Sequence, residues 1–163
     1  MSTPAFFQGF LNDERSLFGD VVGAVPDNGL DYRPEPVARS ARELIEHLIG
    51  HTHDLQELLD DGVIHHRNRV PFGSVESAVG ELEASFAALI ETLGSMDEAA
   101  WSEGGQFYAG EHLIMEAPCQ RLAWMMFLDA VHHRGQLSTY LRPMGSKVPS
   151  IYGPSADTQG EAH

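Results

Sequence analysis

The chain has 163 residues, 42% of them hydrophobic and 9% aromatic, the size and composition of one soluble globular domain with a single core. Its 24 acidic against 10 basic residues give a formal charge of −14, which makes nucleic acids and anionic membranes poor partners, since both require a positive face. The longest apolar run, Leu122–Leu128, is far below the roughly 20 residues of a membrane span, Cys119 stands alone, and no secretory start is present, so a reducing, cytoplasmic setting is expected.

From about Ala5 to Val25, the residues Phe6, Phe7, Phe10, Leu11, Leu17, Phe18, Val21 and Val22 recur mostly three or four apart, the spacing of one helix face. Pro26-Asp-Asn-Gly29 ends that helix. Residues 30–37 carry Pro34 and Pro36 and read as extended, and Ser40 with Glu43 forms a capping-box signature. A second helix is predicted from about Ala41 to Asp61, with the stripe Leu44, Ile45, Leu48, Leu55, Leu58 and Leu59 flanked by His47 and His51. His65-His66-Arg67-Asn68-Arg69 and Pro71 mark residues 62–73 as a loop. Ser74 then caps a third helix through about Leu93, turning Val75, Val79, Leu82, Phe86, Leu89, Ile90 and Leu93 inward. Glycines 104, 105 and 110 interrupt the next segment, which leaves room for a short extended piece at Gln106–Tyr108. A last long helix is predicted from about Cys119 to Leu141, and the polar end from about 156 to 163, with His163, reads as a frayed tail. Four long helices without an internal repeat predict an all-α four-helix bundle with no extended sheet, in a single domain over 1–163.

Histidine departs from this plain composition: seven of the nine fall into the groups His47/His51/His53, His65/His66 and His132/His133. On a helix, Asp129 and His133 lie one turn apart on one face, and a histidine from a facing helix would complete a site for one divalent cation. Imidazole and carboxylate suit zinc and related first-row metals. Asp-x-x-x-His also arises by chance, and the alternative is a polar patch in which Asp129 accepts a hydrogen bond from His133. Asp129 sits between Met125–Leu128 and Ala130-Val131, where an unpaired carboxylate is costly, and a cation or one of Arg121, Arg134 and Arg142 would remove that cost. Cys119 reads as packing, and Trp124–Phe127 as core or interface.

His133-Arg-Gly-Gln-Leu-Ser-Thr-Tyr-Leu-Arg142, followed by Gly145 and Val148-Pro-Ser-Ile-Tyr-Gly-Pro154, resembles the closing signature of the DinB-like (YfiT-like) metalloenzyme family. Asp31-Tyr-Arg-Pro-Glu-Pro36 and Ser40-Ala-Arg-Glu-Leu-Ile-Glu-His47 are similar to that family's approach to its second helix. The resemblance spans roughly Phe6 to Ser155. It implies a four-helix bundle of up-down-down-up topology, a metal held by three side chains, and a homodimer. Transferred residue by residue, the ligands fall on His47, Asp129 and His133, so an aspartate stands where the family pattern has a histidine. His51, His132 and Arg134 are candidates for the surroundings or mouth of the site. Zinc or nickel is the expected metal, with iron a further option.

The resemblance also implies a transferase that activates a low-molecular-weight thiol for attack on an electrophile, so the expected partners are a thiol and a small-molecule substrate. The alternative is a non-catalytic, stress-associated bundle that binds a metal or small ligand through a degenerate site.

Overall fold

Each of the first three long helices starts where a side-chain oxygen meets its free amides. In the computed structural model, which describes residues 3–159, Thr3 accepts from the Phe6 amide at 3.1 Å and opens helix α1, Pro4–Gly23. Ser40 and Glu43 form the expected reciprocal capping box at α2, Ala41–Asp61. Ser74 and Ser77 cap α3, Val75–Ser95, in the same reciprocal way. A short α4, Glu98–Ser102, follows, and the last long helix α5, Cys119–Tyr140, begins directly at the end of a strand with no side-chain cap. All four predicted long helices are present, with boundaries within two or three residues of those expected.

The long helices share one core. Helix α1 packs on α3 and α5, and α2 packs on the same two partners. Phe7, Leu11 and Phe18 of α1, Leu44, Ile45 and Leu55 of α2, Leu82, Phe86 and Leu89 of α3, and Leu122, Phe127 and Leu137 of α5 are all buried there. Those of α1, α2 and α3 belong to the apolar stripes read from the sequence, which is what burial of one face per helix requires. Among the described residues, no helix is long and apolar enough to cross a membrane.

The expectation of a purely α-helical bundle is corrected. Strands β1, Val63–His65, β2, Gly104–Ala109, and β3, His112–Pro118, form one sheet in the order β1-β2-β3. The first pair is parallel and the second antiparallel, with an irregularity between Phe107 and Tyr108. Glycines read as interruptions are what admit the sheet: a Cβ on Gly105 would stand 3.0 Å from the Gly62 carbonyl oxygen and 3.1 Å from Leu58 and Leu122 methyls. Gly62 itself closes α2 at φ +72, a conformation that favours glycine.

The tail is corrected as far as the described residues reach. Asp157 accepts from the Val148 amide and from Arg142 Nε, each at 2.9 Å, and Ser155 Oγ donates to the Val148 carbonyl at 2.6 Å. His163 lies outside the described residues. Further up the same segment, the Tyr152 hydroxyl accepts from Arg134 Nη2 at 2.7 Å and donates to Glu14 at 3.1 Å, while Arg134 Nη1 also donates to Glu14. The terminal segment is thereby fastened to both α1 and α5.

Candidate metal centre

Helix periodicity puts His47 and His51 on one face of α2, and Asp129 and His133 on one face of α5. Because α2 and α5 pack against each other, the two pairs meet: one ligand atom from each of the four residues lies within 4.8 Å of the others. His47 and His133 ring centroids are 4.6 Å apart, and His47 and His51 centroids 4.3 Å.

Neighbouring groups set the tautomers. His47 Nδ1 lies 2.7 Å from the Asn68 carbonyl oxygen, which only accepts, so Nδ1 carries the proton and Nε2 keeps its lone pair. His133 Nδ1 lies 2.8 Å from Gln136 Oε1, and by the same argument frees Nε2. An outer acceptor on each imidazole is the usual support of a histidine ligand. Burial lowers the His47 pKa to about 3, reinforced by the neighbouring His51, and burial also lowers that of His133. Both rings are therefore neutral at pH 7, the form that binds metal.

His51 is 1% exposed, and among the described residues neither ring nitrogen has a hydrogen-bond partner. Asp129 Oδ2 lies 3.0 Å from its Nε2, close enough for strong electrostatic interaction but off the direction in which a ring N–H points. An unpaired buried polar group costs about 1–3 kcal/mol, and a cation shared with Nε2 meets one of the two nitrogens. Asp129 Oδ2 is also 3.4 Å from His133 Nε2. Proximity to His51 holds the Asp129 carboxyl well below the usual range, against burial, which acts in the opposite sense. Three imidazoles and one ionised carboxylate thus converge, and this donor set fits a first-row divalent cation.

The sequence neighbours of Asp129 are apolar, yet its side chain is 49% exposed and the preceding Leu128 is 59% exposed. The reason is a cleft of about 570 Å³ lined by His51, His66, Phe107, Met125, Met126, Leu128, Asp129 and His132. His132 lines this cleft. Arg134 does not: it is 1% exposed and engaged with Glu14, so the expectation of a charge at the mouth is corrected for this residue. Arg142 pairs with Asp157 rather than with Asp129.

Strand β2 and the β1–α3 loop supply the cleft wall, through Phe107 and His66. Asp54 is fully buried and accepts from His66 Nδ1 at 2.7 Å, the Arg67 amide at 3.0 Å and Arg67 Nη1 at 3.1 Å. Those bonds hold His66 over the site and carry Phe107 against it, with ring centroids 5.7 Å apart. Although His51, Asp54 and His66 also converge, the carboxylate of Asp54 is already engaged by both loop residues. Of the remaining histidines, His53 pairs with Glu81 and His65 with Glu57. Cys119 lines a separate cleft, and burial pushes its thiol up to about 11, which removes it as a nucleophile at neutral pH.

The DinB family profile matches residues 1–161. The chain belongs to the DinB family. Two solved structures share this DinB fold: a DinB-like protein, YjoA, of Bacillus subtilis, at TM-score 0.69 and 14% identity, covering 93% of this chain and 97% of that one; and a DinB-like protein of Bacillus cereus ATCC 10987, at TM-score 0.73 and 17% identity, covering 91% and 97%. No curated protein matches the sequence. In this DinB-family chain, α2 and α5 together carry the whole donor cluster.

Proposed function

We propose that this DinB-family protein is a divalent-metal-dependent enzyme that transfers a low-molecular-weight thiol to a small electrophile, with zinc or nickel the favoured metal. The observation that carries the reading is the convergence of His47, His51, Asp129 and His133 beside an open cleft. His47, Asp129 and His133 are the residues that would hold the cation, and Asn68 and Gln136 fix two of the rings. When bound, a divalent cation supplies Lewis acidity that lowers the pKa of a thiol or water at neutral pH. The cleft contributes shape and a low dielectric: Phe107, Met125 and Leu128 present apolar surface to the body of a substrate, and His132 and His66 flank it with polar edges.

Protein prepared without chelator is expected to carry about one zinc or nickel per chain, by elemental analysis, and to lose it on His133→Ala substitution. The metal-loaded protein should consume a generic electrophile only when a cellular thiol is supplied. Full occupancy with no thiol-dependent turnover, and no thiol-induced shift in the cobalt spectrum, would favour a binding protein instead. The exposed Phe6 and Phe10, whose rings lie 6.3 Å and 5.3 Å from that of Trp124, support self-association as a homodimer through α1 and α5. Light scattering at micromolar concentration should give twice the chain mass, and a monomer mass refutes the dimer.

A further inference from the structure

The four donors are not equivalent. His47 and His51 are 3% and 1% exposed, whereas the side chains of His133 and Asp129 are 13% and 49% exposed. The residue that stands where a family histidine is expected, Asp129, is thus the one nearest solvent, while the most deeply buried donor is a histidine outside the motif. We infer that the cation is held by three imidazoles, His47, His51 and His133, with Asp129 a peripheral donor on the cleft side. This rests on the metal-dependent reading above but replaces Asp129 by His51 in its ligand set, so that α2 supplies two ligands.

Three observations support the assignment. First, His51 is one turn beyond His47 and shares its face, so the packing that brings His47 to α5 brings His51 as well. Second, its neighbours in the histidine groups are otherwise engaged: His53, His65 and His66 each have a carboxylate partner at 2.7–2.8 Å. His51 is buried without a directed partner on either nitrogen, and Asp54, the next acid along its helix, is occupied by His66 and Arg67. Third, if His51 served only to orient Asp129, its Nε2–H would point along the carboxylate oxygen; the oxygen is near but off that line. A half-exposed carboxylate, in contrast, has water available in place of a metal and loses less when it is not a ligand.

X-ray absorption on the zinc-loaded full chain counts imidazoles through their multiple scattering, and competition with a chromophoric chelator gives affinity. The wild type should show three imidazoles and one zinc per chain. Asp129→Ala should retain both, with affinity reduced by no more than about tenfold, within the range of an outer contact. His51→Ala should fall to two imidazoles with affinity reduced by at least about 100-fold, a larger loss than most outer contacts cause. Circular dichroism establishes that the variants are folded, and the wild-type count stands without them. A wild type that binds one zinc through two imidazoles overturns the assignment of His51 alone. So does a His51→Ala protein whose imidazole count is unchanged. A wild type that takes up no zinc overturns the metal reading itself, and the assignment with it.

Discussion

His47 can be named from the sequence because the capping box at Ser40 fixes where α2 starts, and so which residues share its inner face. His51 follows from the same periodicity, but which partners its ring meets depends on how α5 and the 66–70 loop pack around it, which no local pattern states. Asp129 illustrates the opposite failure. Its apolar sequence neighbours imply burial, but a helix that borders a cleft keeps one side open, and Leu128 and Asp129 lie on that side. The buried imidazoles carry a pH signature in the metal-free protein. The folded pKa of His47 is about 3 against 6.5 in its absence of burial, so between those values the unfolded chain binds the proton that the folded chain refuses. Stability from this group is complete above about pH 6.5 and falls as the pH drops toward 3; His133, shifted in the same direction, adds to the fall. The urea midpoint of chelator-treated protein should therefore decline already between pH 6.5 and 5, above the range where ordinary carboxylates titrate. A midpoint unchanged from pH 7.5 to 5 would contradict the neutral buried rings.

At the scale of elements, the long helices were legible because stripes and caps agree, whereas the sheet was not. Strand β1 has three residues, too few for an alternating pattern, and most of β3 is exposed, so neither strand advertises a buried face. Residues 62–73 read as a loop, which holds after His65 but not for Val63–His65, the strand β1, and the consequence of the loop's contacts was hidden. Val70 donates to the Glu46 carbonyl at 3.0 Å, and the Arg67 carbonyl oxygen rests directly against Gly50, where any Cβ would collide with backbone. Gly50 is therefore the residue that lets the loop lie on α2 and bring Asn68 to His47. Gly50→Ala should displace the loop at a cost of about 1–3 kcal/mol, seen as a lower denaturant midpoint. It should also weaken zinc binding by about 10–100-fold through the lost support of His47. Gly80→Ala, on the open side of α3 with nothing near its Cβ position, serves as the comparison and should be neutral or stabilising by about 0.5–1 kcal/mol. Equal behaviour of the two variants would remove the proposed role of Gly50.

For the whole molecule, the acidic excess and the paired histidines were both visible in composition, and the meeting of α2 with α5 is what turns the second into a site. The Glu14–Arg134–Tyr152 clasp has a kinetic meaning of its own. It joins residues 120 and 138 positions apart in sequence, so forming these bonds closes long loops at an entropic cost. The Tyr152 contacts, made by a segment that follows the last helix, are expected to form late in folding, after its transition state. Tyr152→Phe, which removes the hydroxyl shared by Arg134 and Glu14, should cost about 1 kcal/mol and leave the refolding limb of a chevron plot unchanged. Unfolding should instead quicken by roughly fivefold. A slowed refolding limb would place the clasp in the nucleus; the expected result makes it a latch, which sets the lifetime of the native state without setting how fast that state is reached.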